Sequence, residues 1–174
     1  MTVIIREATP ADAEELIAHV KRLLGEAEKT SPLAPEEFTL SVEEECEVLA
    51  EYAGNPRAVF LVAEAEGRLV GELNCKAGKR EALQHAVVLG MSVRAEWRNR
   101  GVGSRLMEAV IEWAQGTGTV KRIELYVYAH NQAAIHLYQK FGFEIEGRRR
   151  KAIYQDGRYF GRPNHGAAMV NGTE

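Results

Sequence analysis

The run Ala86-Val87-Val88-Leu89-Gly90-Met91-Ser92-Val93 followed by Arg98-Asn99-Arg100-Gly101-Val102-Gly103-Ser104 decides the fold. Residues 84–94 read as one strand, nearly all apolar from Ala86 to Val93 and therefore central in a sheet. From Gly101 to Gly116 the pattern changes to a helix, with Leu106, Ala109, Val110 and Trp113 on one face. The loop between them is suited to an anion. Gly101 and Gly103 permit close backbone approach and unusual φ values. The first amides of the helix lack intrahelical acceptors and sit at its positive end. Arg98 and Arg100 add cationic charge. Together these features suit a diphosphate, although glycines at this spacing also fit a plain strand-to-helix turn with solvated arginines. Leu106 stands where a dinucleotide fingerprint needs its third glycine, and no Gly-Lys-Ser/Thr is present for a Walker loop.

Working outward, Val3 to Ala8 reads as a strand. Thr9-Pro10 opens a helix carried to Gly25 by Ala13, Leu16, Ile17, Val20, Leu23 and Leu24. Residues 29–40, with Pro32 and Pro35, read as a loop. Ser41-x-x-Glu44 has capping-box spacing and starts a second helix, with Cys46, Leu49 and Tyr52 or Ala53 inward and Gly54-Asn55-Pro56 at its end. Residues 58–64 and 68–75 form a hairpin around Ala65-Glu66-Gly67. After the central strand and helix, Val120 to Tyr128 alternates as a strand, and Asn131 caps a helix running to Phe141, closed by Gly142. Phe143 to Tyr154 and Tyr159 onward make a last hairpin around Asp156-Gly157. The order β-α-α-β-β-β-α-β-α-β-β predicts a mixed α/β (α+β) fold in one domain over residues 1–174. Its sheet has helices on both faces and one parallel, right-handed crossover at the centre.

Composition limits the function. The 174 residues are 45% hydrophobic and 27% charged, with a formal net charge of −3, so nothing pulls the chain as a whole toward nucleic acid or an anionic membrane. Cys46 and Cys75 are too few and too far apart for a disulfide framework. No signal-peptide core or apolar run long enough to span a bilayer occurs, so the expectation is a soluble, cytoplasmic protein. His19, His85, His130, His136 and His165 are scattered without metal-ligand spacing, and no metal is expected.

Val93-x-x-x-x-Arg98-x-x-Gly101-x-Gly103 resembles the acetyl-CoA motif of the GCN5-related N-acetyltransferase (GNAT) family. Asn131-x-x-Ala134-Ile135-x-Leu137-Tyr138-x-Lys140-x-Gly142-Phe143 resembles its second motif. The likeness covers roughly residues 3 to 160. It implies a mixed, mostly antiparallel sheet and transfer of an acetyl group from acetyl-CoA to a primary amine by direct attack in a ternary complex. The pyrophosphate would lie on the amides of Arg98, Asn99, Arg100, Gly101, Val102, Gly103 and Ser104. The pantetheine arm would pair with the backbone of Met91, Ser92 and Val93, and an N–H near Met91 or Ser92 would stabilise the oxyanion. Asn131 matches the CoA-contacting asparagine as well as being a helix cap. Tyr138 matches the acid that protonates the departing thiolate, although periodicity alone places it in a core stripe. A phenol near ~10 against a thiol near ~8.5 suits that role. The resemblance makes a homodimer the default assembly and leaves the acceptor unnamed.

Glu72 and Glu124 are candidates for the base that deprotonates the amine. Each also reads as an ordinary strand residue, and neither is assigned. Cys75 reads as an inert thiol, and Arg148-Arg149-Arg150-Lys151 as a solvated run. The acidic stretch from Glu36 to Glu51 reads as a solvated helix face or a lure for a cationic acceptor. One departure stands out. Where relatives continue an apolar strand, this chain has Gly161-Arg162-Pro163-Asn164-His165-Gly166. The last strand is therefore expected to be shortened, or bulged before resuming at Ala167-Ala168-Met169-Val170. That departure also motivates a second reading, a non-catalytic CoA-sensing module on the same fold.

Overall fold

A computed structural model describes residues 2–169, with side chains through residue 161. Seven strands form a single sheet in the order β1-β2-β3-β4-β5-β7-β6. They are β1 (Val3–Glu7), β2 (Ala58–Ala65), β3 (Arg68–Ala77), β4 (Ala86–Val93), β5 (Arg122–Tyr126), β6 (Glu144–Gln155) and β7 (Arg158–Met169). Only β4 and β5 pair parallel; every other neighbour is antiparallel. The mixed, mostly antiparallel sheet expected from the sequence is therefore the one observed. Both hairpin turns put two consecutive residues at positive φ, Glu66-Gly67 and Asp156-Gly157, the geometry that matches the twist of the paired strands.

Helices cover both faces. α3 (Val102–Thr117) and α4 (Gln132–Lys140) pack on one side, where Leu106, Met107, Val110, Ile135 and Tyr138 share a core with Leu73, Cys75, Val87 and Leu89. On the other side α1 (Ala13–Leu24) and α2 (Val42–Ala53) bury Leu16 and Leu49 against Val62 and Leu69. No helix among the described residues is long and apolar enough to cross a membrane.

The structure corrects several expectations. The first helix does not begin at Pro10. Pro10–Asp12 is a 3-10 turn and α1 starts at Ala13. Asp12 is held there because its carboxylate accepts from Thr9 N–H at 2.8 Å and from both terminal nitrogens of Arg6 at 2.7 and 2.8 Å. On α2 the buried positions are Glu45 and Leu49, with Cys46 only partly covered, so the helix is rotated slightly from the face its apolar residues suggested.

The last strand is not shortened. β7 runs through Pro163 and pairs with β5 and β6. The missing N–H interrupts only the β5 side: the β5 ladder stops at Asn164 and the segment after β5 meets β7 again where Ala129 N–H donates to Gly161 O at 3.1 Å, while β6 pairs with β7 at Pro163. A bulge does occur further on. Arg122 and Glu124 of β5, two apart, face Met169 and Gly166 of β7, three apart. Val170 lies outside the described residues.

The Arg6 guanidinium, through its hydrogen bonds to Asp12, holds that carboxyl down at about 2. A depressed carboxylate contributes stability that is present above its unfolded value and lost as pH falls through the folded one. Asp12→Asn is expected to cost about 1–2 kcal/mol at pH 7, Arg6 being partly exposed and screened. Urea melts should show that deficit shrinking between pH 4 and pH 2; an equal deficit at every pH would contradict the pairing.

Candidate active site

The site is created by a parting of strands. β4 and β5 pair from Ala86↔Arg122 to Leu89↔Leu125 and no further. β4 continues to Val93 with β3 alone as its neighbour. Arg94 N–H donates to Val70 O at 2.9 Å, which sets the alternation of the antiparallel ladder. Ser92 and Glu72 are consequently a hydrogen-bonded backbone pair. Met91 and Val93, opposite Leu73 and Gly71, turn their N–H and C=O groups away from β3 into the gap. The sequence placed an oxyanion donor near Met91 or Ser92; this register puts the Met91 amide in the gap and the Ser92 amide on β3.

Below the gap, the loop into α3 has the expected conformation for other reasons than some of those anticipated. Asn99 and Gly101 both take left-handed φ values, +58° and +81°, and Gly101 is the N-cap of α3. Arg105 N–H donates to Gly101 O, so the amides of Val102, Gly103 and Ser104 precede the first intrahelical bond and sit at the positive end of a 16-residue helix. No acidic residue occupies that first turn.

The arginines divide. Arg98 donates through Nε to Val93 O at 3.0 Å and through a terminal nitrogen to both Glu26 oxygens at 2.6 and 2.8 Å. Its charge is neutralised within the protein, contrary to the expectation that it adds to an anion site. Arg100 lies over the Trp97 ring, 5.4 Å from its centroid. A Cβ at Gly103 would come within 2.9 Å of Leu137 Cδ2 on α4. That glycine therefore serves close helix packing, whereas the sequence reading gave it to ligand approach.

α4 packs beside the start of α3, with Leu137 against Gly103. Asn131 caps it, Oδ1 accepting from Ala134 N–H at 3.1 Å. Tyr138 is 5% exposed and packs its ring against Phe143, with centroids 5.9 Å apart. Burial, and then the charge of Glu72, push its hydroxyl well above the usual phenol value, so it is protonated throughout the neutral range. Tyr138 therefore belongs to the core stripe, as periodicity suggested, and it feels the charge of Glu72.

Glu72 comes from the opposite face. Its neighbours Leu73 and Cys75 point to the α3 core, so Glu72 and Asn74 point toward α1 and α2. Glu72 is buried, contrary to a solvent-facing strand position. Ser92 Oγ donates to its Oε1 at 2.8 Å and Asn74 Nδ2 to its Oε2 at 3.1 Å. Burial raises its carboxyl to about 7 against the lowering effect of those two donors, and the nearby charge of Glu45 adds to the rise. Glu124 instead accepts from Arg122. Cys75 is buried and its thiol is pushed up to about 12, an inert state. The sequence reading missed His19, whose Nε2 lies 2.7 Å from Ser92 Oγ. Its one signal was a position three residues after Leu16 on the buried stripe of α1.

Known proteins agree with this architecture. Residues 23–143 match the model of the acetyltransferase (GNAT) family. The L-amino acid N-acetyltransferase of Escherichia coli K12 is 40% identical over 107 residues, which cover 62% of this chain and 66% of that protein, just under two thirds of its length. The crystal structure of a GNAT-family acetyltransferase from Streptococcus pneumoniae superposes with a TM-score of 0.90 at 34% identity, covering 95% of this chain and 98% of the other. A phosphinothricin acetyltransferase from Sinorhizobium meliloti, solved in complex with acetyl-CoA, shares the fold with a TM-score of 0.85 at 19% identity over 97% and 89% of the two chains. A family match over more than half the chain, on a sheet that opens where that motif begins, places this protein in the GNAT acetyltransferase family.

Proposed function

We propose that the protein transfers the acetyl group of acetyl-CoA to a primary amine by direct attack in a ternary complex. The observation that carries this reading is the unpaired edge of β4 beyond Leu89, with the buried, ionisable Glu72 bonded to Ser92 of that strand and the protonated phenol of Tyr138 under the influence of its charge. The pyrophosphate would rest on the amides from Arg98 to Ser104, with Asn131 contacting the cofactor. The pantetheine arm would pair with Met91 and Val93, and the Met91 amide would polarise the thioester carbonyl. Glu72, raised toward neutrality, takes the proton of the attacking amine. The C–N bond forms, the tetrahedral intermediate collapses with loss of the C–S bond, and Tyr138 gives its proton to the departing thiolate.

The acceptor enters from the α1–α2 side, which carries Glu72 and Asn74. The relative from Escherichia coli puts L-amino acids first in an acceptor panel, followed by polyamines and peptide amines. The domain spanning residues 1–174 would carry the whole reaction in the cytoplasm, as a monomer or a homodimer. The sensor alternative loses its main motive, since β7 continues through Pro163. Acetyl-CoA binding by calorimetry without thiol release across the panel would restore it.

Two substitutions test the assignments. Tyr138→Phe should lower thiol release by roughly 10²–10⁴-fold, the range of general acid catalysis; a wild-type rate at all pH values would remove Tyr138 as the acid. Glu72→Gln should abolish the acidic limb of the rate profile near pH 7 and leave little activity.

The same variant makes a prediction about folding. A carboxyl raised from 4.5 to about 7 favours the folded state less and less as pH rises through that interval. Glu72→Gln should therefore be more stable than wild type by about 1–3 kcal/mol at pH 8 and nearly equal to it at pH 4.5. Thermal melts at the two pH values check this, and a destabilised variant at pH 8 would refute a strained carboxylate.

A further inference from the structure

We propose that His19 and Ser92 form a donor line that positions the Glu72 carboxylate and favours its ionised form inside the protein. This rests on the reading of Glu72 as the base. The three groups come from α1, β4 and β3, and the contacts are short: His19 Nε2 to Ser92 Oγ is 2.7 Å and Ser92 Oγ to Glu72 Oε1 is 2.8 Å. All three are buried, His19 to within 2% of complete.

The polarity follows from proton counting. Ser92 has one hydroxyl proton, and it goes to Glu72. Its oxygen must then accept from His19, so Nε2 carries the imidazole proton and Nδ1 is bare. Nδ1 is buried without a hydrogen-bond partner, as is Nε of Arg94. Burial, with the charges of Arg94, Arg22 and Arg98 outweighing that of Glu96, brings His19 down to about 4. The imidazole is therefore neutral over the range in which an amine acetyltransferase works, and it donates to Ser92 whenever Glu72 is the carboxylate.

The order of groups also excludes a familiar alternative. In a nucleophilic triad the histidine stands between serine and carboxylate and removes the serine proton. Here serine stands in the middle, already donating to the carboxylate and receiving from the histidine. Its oxygen is engaged on both sides and is not activated for attack. The line serves the carboxylate. Asn74 secures the second oxygen. Glu45 and Tyr52 from α2 and Tyr138 from α4 face the group without supplying a positive charge. With no cation in that set, the donors from Ser92 and Asn74 are what offset burial.

The test is a titration of the Glu72 side-chain carboxyl by NMR in protein labelled with 13C-glutamate, its resonance identified by loss in Glu72→Gln. Ser92→Ala should move the midpoint upward by about one pH unit, the loss of one hydrogen bond to a charged group. His19→Phe should move it the same way by less, and Ser92→Thr, which keeps the hydroxyl, should restore it. In activity assays the acidic limb should follow the midpoint while KM for acetyl-CoA stays constant, because the Ser92 amide is on the β3 side of the strand. An unmoved midpoint in Ser92→Ala overturns the proposal. If that variant fails to fold, an unmoved midpoint in His19→Phe overturns it equally. Full turnover by Glu72→Gln would instead sink the assignment of the base, and the titration would still decide whether Ser92 holds the carboxylate.

Discussion

β4 has a hydrogen-bonding neighbour on one side only after Leu89, and the site depends on that unsatisfied edge. Backbone amides and carbonyls in the interior of a sheet need partners. At Met91 and Val93 the neighbouring strand has left, and one of the freed carbonyls, Val93 O, is taken by Arg98. What remains is a short length of strand edge inside the protein, open to an extended ligand carrying its own amide groups. A pantetheine arm has that chemistry. α4 packs against the loop that follows β4, with Leu137 beside Gly103 and Tyr138 in the core.

Around this edge the polar groups divide their duties. Arg98 binds Glu26 at the end of α1 and so ties the phosphate loop to a helix on the opposite face of the sheet. Its cationic charge is used for architecture, so in the proposed cofactor site the anion would be left to backbone amides at the N-terminus of α3 and to Arg100. Glu72 and Tyr138 interact electrostatically: the carboxylate charge helps keep the phenol protonated. Burial raises both, the carboxyl toward neutrality and the phenol away from it. Keeping a carboxylate in such a place costs stability, and a strained group of this kind is common where chemistry is done.

Much of this was legible in the sequence, because much of it is local. Both hairpins follow from Glu66-Gly67 and Asp156-Gly157. The cap of α4 is written in Asn131 and that of α2 in Ser41 with Glu44. The loop from Arg98 to Ser104, two glycines before a helix, was readable as an anion site and then, with Asn131 and Tyr138, as part of a family pattern. Pro163 misled in part, since a local rule about proline in sheets takes no account of a neighbouring strand that stops one residue short.

The sequence by itself determined the elements, their order and the family, since turns, caps and periodicity act over a few residues. Only the tertiary structure decided the chemistry of individual side chains. Residues 19, 72 and 92 become one hydrogen-bonded line because the β3–β4 register sets Glu72 opposite Ser92 and α1 packs His19 onto that pair. Arg98 is neutralised because α1 ends beside the loop. Burial, register and the charge of distant neighbours are properties of the assembled fold, and they turned a strand glutamate of no distinction into the proposed base.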